Sequence, residues 1–220
     1  MDFANMTSPS DDATFLYLVR HGATDANEQR PYILQGCGIN HGLSETGRQQ
    51  ALAAAEFLSS HPLQQIYSSH MQRAVETAGI IAERHDIDVQ TAAGLHECDV
   101  GEWEGMDWGS IERANPDEYH AFMNAPGENP YLGGESYGDV LRRVEPVLTE
   151  LLAKHAGETI AVVAHNVVNR AYLGNLLGLD MRQARRLSQS NTGVNILRHH
   201  NNETALVTMN AHFHLSGLGE

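Results

Sequence analysis

The stretch FLYLVRHGATDAN, Phe15 to Asn27, decides the fold of this chain. Five consecutive apolar or aromatic residues, Phe15 to Val19, are followed at once by Arg20, His21 and Gly22. A short continuous apolar run that stops at a glycine is typical of a buried strand. The sequence therefore predicts a buried strand that places a cation and an imidazole side by side at its end.

Two other predicted strands end in the same way. The run IAVVAH ends at His165, and QIYSSHMQR brings Arg73 within one turn of a strand end. If these strands are parallel neighbours, the side chains meet beyond their carboxyl ends, where open α/β sheets bind ligands. Guanidinium groups bind phosphate-type oxyanions in bidentate fashion. An anion site is one interpretation; a strand-end histidine held by structural hydrogen bonds is the other, and the spacing alone does not decide between them.

Strands and helices alternate along the chain, which predicts an α/β fold. We expect a three-layer sandwich with a mostly parallel central sheet flanked by helices, and antiparallel strands at one edge. The predicted strands span residues 15–19, 63–70, 88–92 and 158–165, with a hairpin over 194–215 that turns at Asn201-Asn202. The predicted helices span residues 43–61 (with Ser44 as the N-cap), 73–85, 135–155 and 167–178.

Two segments depart from this alternation. Residues 1–13 are polar and acidic, and are predicted to be a disordered leader before a single domain over residues 14–220. Residues 98–134 are rich in glycine, proline and aromatic side chains. A long irregular segment of this kind is usually functional, so we expect a lid insertion there, with residues 110–124 partly helical.

Composition excludes several classes of partner. The net charge is −14 over 220 residues, and Lys154 is the single lysine. Nucleic acids and anionic membranes require a basic surface, so neither is expected as a partner. No apolar run approaches the roughly 18 to 20 residues of a membrane helix. Two cysteines without an export signal favour reduced thiols in the cytoplasm. The oligomeric state is not predicted.

Several segments resemble a known family, and they occur in unbroken order from Leu16 to Leu215. The first is LVRHGATDAN, with Arg20, His21, Gly22, Thr24 and Asn27 at the signature positions. The others are ILQGCGINHGLSETGRQQA, IYSSHMQRAVETA, LHECDVGEWEG, GGES, VVAHN, SNTGVNIL and the pair His214-Leu215. Together they resemble the histidine phosphatase superfamily, in its phosphoglycerate mutase-like branch. One Arg-His-Gly alone would be a weak motif.

The resemblance implies a role for each matching residue. His21 would attack the phosphorus of a phosphomonoester and form a phosphohistidine. Glu97 would act as general acid and then as general base. The phosphoryl oxygens would be held by Arg20, Arg73 and His165, without a metal or other cofactor. The positions that resemble substrate-contacting ones in the family are Thr24, Asn27, Gln35, Gly36 and Asn166.

Asn166 departs from the family pattern, which usually has glycine after the second histidine. Asparagine tolerates positive φ better than other non-glycine residues, so we expect the backbone to survive the change. The extra side chain at the edge of the pocket is expected to affect the shape of the substrate more than catalysis. Ala23 is a milder departure, because relatives often have an acidic or polar residue there.

A phosphatase acting on a small phosphorylated metabolite, such as a sugar phosphate, is favoured. The mutases of the family carry a longer insertion between the acid and the second histidine, with extra basic residues, whereas Arg113 is the single cation between Glu97 and Gly134. The alternatives are a cofactor-dependent phosphoglycerate mutase and a non-catalytic protein that binds a phosphorylated ligand. A second phosphate would need a further cation, for which the candidates are Arg30, Arg113 and Arg170.

A metal site is a third alternative. His212 and His214 would share one face of a strand and form half of a site. No nearby cysteine or Glu-x-x-His pattern completes it, so it is not favoured.

Overall fold

A computed structural model describes residues 13–218. The predicted leader lies outside the described residues, except for Ala13, which is fully buried next to the first strand. No helix among residues 13–218 is both long enough and apolar enough to cross a membrane.

Six strands form one sheet in the order β3-β2-β4-β1-β5-β6. The strands are β1 (Thr14–Arg20), β2 (Gln65–Ser68), β3 (Val89–Thr91), β4 (Thr159–Ala164), β5 (Val194–His200) and β6 (Glu203–Ala211). The first four are mutually parallel, and β5 and β6 are antiparallel at one edge. This confirms the predicted α/β fold with a mostly parallel sheet.

Helices cover both faces of the sheet. They are α1 (Asp25–Glu28), α2 (Glu45–Leu58), α3 (Gln72–Ala82), α4 (Trp108–Ala114), α5 (Pro116–Asn124), α6 (Tyr137–Lys154), α7 (Asn166–Leu176) and α8 (Met181–Ala184). Ser44 is the N-cap of α2, as predicted, because its hydroxyl accepts a hydrogen bond from the Gly47 N–H. The short helices α1 and α8 were not predicted, since neither is long enough to show an apolar period.

The sheet separates two apolar cores, which explains why β1 is a continuous apolar run. Leu16 and Leu18 pack on one face with α6 and α7. Phe15, Tyr17 and Val19 pack on the other face with α2 and α3. Alternate side chains of a strand point to opposite faces, so a strand covered on both sides must be apolar throughout. Strand β4 is likewise buried along its whole length.

The pairing of β1 with β4 positions the two strand-end histidines. Arg20 is the register partner of Ala164, so His21 and His165 follow at the same level of the sheet. Strand β2 pairs with the other side of β4 and delivers α3, which carries Arg73. The carboxyl ends of three parallel strands thus meet at one edge, as the sequence predicted.

The segment over residues 98–134 is more regular than expected. It contains a short 3-10 helix (Gly101–Trp103) and the helices α4 and α5. Trp103, Phe122 and Tyr131 are buried in the core that contains α6 and α7. Trp108 packs against all three of them. Core packing therefore accounts for most of its aromatic side chains.

The C-terminal hairpin turns at Asn201-Asn202, as predicted, and both asparagines have positive φ. The prediction was wrong about its end. Strand β6 stops at Ala211, and His214 and Leu215 lie in a 3-10 helix (Phe213–Leu215). His212 and His214 therefore do not share a strand face, and His214 Nε2 lies 3.2 Å from the hydroxyl of Thr192.

Helix α2 packs unusually closely on the loop after His21, and a matched pair of variants tests this contact. A Cβ at Gly47 would lie 1.9 Å from the carbonyl oxygen of Ala23, whereas one at Gly79 in α3 would have no atom within 4 Å. We expect Gly47→Ala to lower the free energy of unfolding by about 1–3 kcal/mol through overpacking. Gly79→Ala should raise it by about 0.5–1 kcal/mol through helix propensity. Urea unfolding measures both, and equal shifts would contradict the close contact.

Candidate active site

Two buried imidazoles face each other at the carboxyl ends of β1 and β4. His21 is 2% exposed and His165 is fully buried. Their ring centroids are 5.1 Å apart. The adjacent parallel strands of the fold therefore bring the two histidines into one site.

Hydrogen bonds fix the tautomer of His21. Its Nδ1 lies 2.7 Å from the carbonyl oxygen of Gly22, which can only accept, so Nδ1 carries the proton. The lone pair is then on Nε2, where Arg73 Nε donates a hydrogen bond at 3.2 Å. The unprotonated nitrogen of His21 thus lies next to a guanidinium group, in position to act as a nucleophile.

Both histidines are kept neutral. The pKa of His21 lies well below its usual value, first because the ring is buried and then because Arg73 and Arg20 carry positive charge. The pKa of His165 is also well below its usual value, through burial and the charges of Arg73 and neighbouring groups. Unlike the charged form, a neutral imidazole can use its lone pair.

Main-chain carbonyl groups hold the two arginines. Arg73 is fully buried and donates to the carbonyl oxygens of Ile39 at 2.8 Å and Gly36 at 3.1 Å. Arg20 is 9% exposed and donates to the carbonyl oxygen of Gln189 at 2.6 Å. Within residues 13–218, neither guanidinium forms an ion pair with a carboxylate. Their positive charge therefore remains available to an anion.

The carboxyl group of Glu97 lies against the N-terminus of α7, the helix that begins directly after His165. Its Oε2 accepts from the Asn166 N–H at 3.0 Å, and its Oε1 accepts from the N–H groups of Cys98 at 2.9 Å and Val167 at 3.2 Å. The side chain is 4% exposed. Backbone donors thus fix a carboxyl group beside the imidazole pair, where the family resemblance expected an acid.

Arg143 holds the loop that carries Glu97. Its guanidinium donates to the carbonyl oxygens of Gly94, His96 and Glu97 at 2.6, 2.8 and 3.2 Å. It also forms a bidentate pair with Glu135 at 2.7 and 2.9 Å. Burial by itself raises the pKa of Glu135. Its hydrogen bonds with Arg143 and a backbone N–H lower the pKa by more, so the pKa lies below its usual value. Glu135 lies in the quoted segment GGES, but sequence analysis assigned no role to it or to Arg143, so this pair was not predicted.

The other predicted contact residues build the walls of the site. Thr24 is buried and donates through its hydroxyl to Gln35 Oε1 at 2.8 Å. Asn27 accepts from the N–H of Thr24 and from Asn191, so it caps α1. Gly36 packs closely on the Cys98 carbonyl group, because it has no side chain. A Cβ at this position would lie 2.6 Å from that oxygen. Gly36 thus acts through its backbone, and only Gln35 of these four lines the cavity described below.

Sequence analysis also missed the polar groups that hold the loop around His21. Asn191 donates to the His21 carbonyl oxygen at 3.0 Å. Thr77 accepts from the Gly22 N–H at 3.0 Å. Asn191 lies in the quoted segment SNTGVNIL, whose presence was the available signal, but that segment was interpreted as a strand alone.

Asn166 does not need the positive φ that the sequence analysis considered. It is the first residue of α7 and is not among the described residues with positive φ. Its side chain lines a cavity beside the histidines. The departure from glycine therefore changes the surface of the cavity and leaves the helix intact.

Several buried polar atoms of the site have no partner among the protein groups of residues 13–218. They are Arg20 Nε, Gln35 Nε2, both ring nitrogens of His165, and Asn166 Oδ1. Buried polar atoms are usually hydrogen-bonded, so a cluster of unpartnered ones indicates a polar ligand. Four of the five are nitrogen atoms, and three of these can donate a hydrogen bond to an oxyanion, since neutral His165 has one ring N–H.

A cavity of about 90 Å³ adjoins this cluster. Its lining consists of Tyr32, Leu34, Gln35, Glu97, Val100, Trp108, Tyr131, Tyr137, Asn166, Val167, Arg170 and Arg185. Of the three cations considered for a second phosphate, only Arg170 lies here. Arg30 and Arg113 are exposed; Arg30 bonds to carbonyl groups of its own loop, and Arg113 bonds to Ser110 within α4. Arg185 was not predicted, because it lies outside every motif.

Among residues 13–218, no group of three or more His, Cys, Asp or Glu side chains is placed to hold a metal ion. Cys37 and Cys98 are free thiols. The site is therefore a cluster of imidazole, guanidinium and carboxyl groups at the carboxyl edge of an α/β sheet.

Comparison with known proteins identifies the family. Residues 16–212 match the histidine phosphatase superfamily (branch 1). Phosphoserine phosphatase 1 of Hydrogenobacter thermophilus is 32% identical over 200 residues, which cover 91% of this chain and 93% of that protein.

Two solved structures have the same fold. The mycobacterial glucosyl-3-phosphoglycerate phosphatase gives a TM-score of 0.80 at 31% identity over 90% of this chain and 99% of the other. A phosphoserine phosphatase mutant from Entamoeba histolytica, in complex with phosphoserine, gives 0.82 at 28% identity over 92% and 99%. The α/β fold and the site define an enzyme that hydrolyses phosphate esters. The chain belongs to branch 1 of the histidine phosphatase superfamily and is a phosphatase.

Arg143→Met tests the support of Glu97. Loss of the charged hydrogen bonds leaves three carbonyl groups without this donor and leaves Glu135 with only its backbone donor, so we expect the free energy of unfolding to fall by about 2–3 kcal/mol. Amide exchange at Asn166 and Val167, which donate to Glu97, should accelerate relative to that in β1. Arg142→Met is the control, because its side chain is 72% exposed. Equal changes in unfolding free energy and in amide exchange for the two variants would show that Arg143 does not hold the loop of Glu97.

Proposed function

We propose that this protein hydrolyses a small phosphomonoester in two steps through a phosphohistidine at His21, without a metal ion. The observation that carries the proposal is the unprotonated Nε2 of a buried imidazole, next to Arg73 and facing His165. A lone pair surrounded by positive charge and by unpartnered donors suits attack on a phosphorus atom whose oxygens are negative.

The phosphoryl group would lie among Arg20, Arg73, His21 and His165. Guanidinium N–H groups bind two oxygens of one phosphoryl group, and neutral His165 can donate one ring N–H to a third. These donors are held in place by the rest of the fold, so little reorganisation is needed as charge develops in the transition state.

In the first step, His21 Nε2 forms a bond to phosphorus, and the bond from phosphorus to the ester oxygen breaks. Glu97, protonated, gives its proton to the departing alkoxide, so the alcohol leaves neutral. The positive charge formed on the His21 ring is stabilised because Nδ1 donates to the Gly22 carbonyl oxygen.

In the second step, water attacks phosphorus and Glu97 takes its proton. The bond from phosphorus to Nε2 breaks, and inorganic phosphate leaves. Glu97 ends protonated and His21 ends neutral with its lone pair restored, so the cycle closes. Glu97 supports both steps because it lies beside His165 and borders the cavity.

The substrate is proposed to be a small phosphorylated metabolite. The size of the cavity supports this, because about 90 Å³ is well below the roughly 300 Å³ of sites for drug-sized ligands. Named relatives act on phosphoserine and glucosyl-3-phosphoglycerate. A cytoplasmic location is part of the proposal and is supported by the two free thiols.

His21→Ala tests the proposal directly. The wild-type protein should hydrolyse p-nitrophenyl phosphate in the presence of EDTA and acquire an acid-labile phosphate label during turnover. The variant should lose at least about 1,000-fold in kcat and lose the label, because no other neutral imidazole has the same geometry. Loss of wild-type activity with EDTA would favour a metal enzyme. Isomerisation of a phosphoglycerate primed by a bisphosphate would favour the mutase.

Glu97→Gln separates the acid from the nucleophile. An alkyl alkoxide needs a proton as it leaves, whereas p-nitrophenolate does not. We therefore expect kcat for formation of the phosphoenzyme to fall about 100-fold or more with an alkyl phosphate and far less with p-nitrophenyl phosphate. Rapid-quench kinetics with both substrates measures the difference. Equal losses would show that Glu97 does not protonate the leaving group.

A further inference from the structure

Among the described residues, one hydrogen bond orients the guanidinium group of Arg20. Its Nη1 donates to the main-chain carbonyl oxygen of Gln189 at 2.6 Å, whereas its Nε is buried and has no partner within residues 13–218. The guanidinium group of Arg73, by comparison, donates to two carbonyl oxygens. The direction in which Arg20 presents its remaining N–H groups therefore depends on where the carbonyl group of Gln189 lies.

The main chain at Gln189 belongs to no helix or strand. Gln189 lies between α8, which ends at Ala184, and β5, which begins at Val194. It is nevertheless buried, with 5% of its surface exposed. A buried segment outside regular structure must find other hydrogen-bond partners. Something other than a helix or strand ladder therefore fixes the carbonyl group that holds Arg20.

The side chain of Gln189 forms a reciprocal amide pair with that of Asn195 on β5. Gln189 Nε2 donates to Asn195 Oδ1 at 3.0 Å, and Asn195 Nδ2 donates to Gln189 Oε1 at 2.8 Å. Gln189 Nε2 also donates to the Ser188 carbonyl oxygen at 2.8 Å, and Oε1 accepts from Asn169 Nδ2 on α7 at 3.2 Å. Two donors and two acceptor sites are the full capacity of an amide side chain, and Gln189 uses all four.

Asn195 anchors this amide pair to the sheet. It is fully buried. Its Nδ2 also donates to the carbonyl oxygen of Leu18 on β1 at 2.9 Å, and its Oδ1 accepts from the N–H of Asn210 on β6 at 2.9 Å. Leu18 lies two residues before Arg20 on the same strand. The pair thus connects three strands with the segment that holds the Arg20 guanidinium group.

The pairing of β1 with β5 does not require these amides. The two strands already form an antiparallel ladder that runs from Thr14 and His199 to Val19 and Val194. Buried amide groups are costly unless they are fully hydrogen-bonded, and apolar side chains would fill the same space at no such cost. What the amide pair adds is a connection between the sheet and the segment at Gln189.

The network orients Arg20 without neutralising it. Amide groups offer donors and acceptors but carry no net charge. A carboxylate at either position would place a buried negative charge near Arg20 and compete with a phosphoryl group for it. A fully hydrogen-bonded buried network also restricts its members to one arrangement. The charge of Arg20 is therefore held in one direction and stays available to an anion.

We propose that Gln189 and Asn195 are positioning residues for the reaction. Their amide pair fixes the main-chain carbonyl group of Gln189, and this group directs the guanidinium group of Arg20 at the phosphoryl oxygens. Both side chains act through Arg20 and neither touches the substrate. The inference rests on the proposed function, because it explains how one of the phosphoryl-binding groups in that mechanism is held.

Asn195→Leu removes the amide partner of Gln189 and leaves Arg20 itself unchanged. We expect the Kd of inorganic phosphate, measured by calorimetry, to rise about 10-fold or more, because Arg20 loses its fixed direction and with it a charge-assisted hydrogen bond. The kcat/KM for p-nitrophenyl phosphate should fall by at least the same factor. Gln189→Met keeps the main-chain carbonyl group and should act in the same direction, so it replaces Asn195→Leu if that variant does not fold.

Thr14→Val is the matched control for a loss of stability alone. Thr14 is 1% exposed and lies at the opposite end of β1, where its hydroxyl donates to the His155 carbonyl oxygen at 3.0 Å and accepts from the Gly157 N–H at 3.2 Å. This variant should unfold at lower urea concentration yet keep the phosphate Kd and kcat/KM of the wild type. If Asn195→Leu and Gln189→Met also unfold more easily but bind phosphate normally, the network is structural only and the inference is wrong.

A double-mutant cycle shows whether the network acts through Arg20. Arg20→Met should by itself raise the phosphate Kd by about 10-fold or more. Adding Asn195→Leu to that variant should weaken binding and kcat/KM no further, because residues that act through one group are not additive. Additive losses would show that the network supports the site by another route and would overturn the assignment. Unchanged phosphate binding in Arg20→Met would overturn it as well.

Phosphate binding separates this inference from the proposed function. Inorganic phosphate binds without turnover, so the cycle can be measured whether or not His21 becomes phosphorylated. Non-additive losses in a protein that acquires no phosphate label would support the inference, and only the proposed function would fail. A wild type that hydrolyses p-nitrophenyl phosphate through a labelled His21, together with additive losses in the cycle, would refute the inference and leave the proposed function standing.

Discussion

Within residues 13–218, two buried guanidinium groups, those of Arg20 and Arg73, form no ion pair with a carboxylate, and the electrostatics of the site depend on them. Arg20 and Arg73 are satisfied by main-chain carbonyl groups, which provide hydrogen bonds but no negative charge. Within residues 13–218, no ion pair cancels their field. Burial is the main reason that the pKa values of His21 and His165 are low, and the same field lowers them further, because another positive charge beside the arginines would be unfavourable. Burial and the two arginines together thus keep the imidazoles neutral, and the arginines leave positive charge available to an anion.

This arrangement requires a rigid scaffold. An uncompensated buried charge lowers stability, and the loops around it would rearrange unless other contacts held them. Helix α2 packs directly on the carbonyl group of Ala23, and Gly36, whose carbonyl group accepts from Arg73, packs on the carbonyl group of Cys98 because it has no side chain. Arg143 holds the loop of Glu97 through three carbonyl groups. A bound anion would recover part of the electrostatic cost and stabilise the folded state.

The sequence predicted the elements whose local pattern is strong. The continuous apolar runs of β1 and β4 indicated buried parallel strands, and Ser44 indicated the start of α2. The local sequence pattern predicted less well the segments whose structure depends on tertiary packing. Residues 98–134 look irregular in sequence, yet their aromatic side chains pack into the core beside α6, which stabilises two short helices. The 3-10 helix at His214 likewise has no local signal that separates it from a strand end.

By itself, the sequence determined the fold class and predicted that Arg20, His21, Arg73 and His165 would meet at one edge of the sheet, because contiguous stretches such as Phe15 to Asn27 carry both signals. Strand order, and with it the 5.1 Å separation of the two imidazole rings, came from the pairing of β1 with β4. Only the tertiary structure showed that Arg170, one of three candidates from the sequence, and Arg185, which the sequence did not single out, line the cavity. Whether a cation lies in a cavity or in solvent depends on packing between helices distant in sequence, and no local pattern records it.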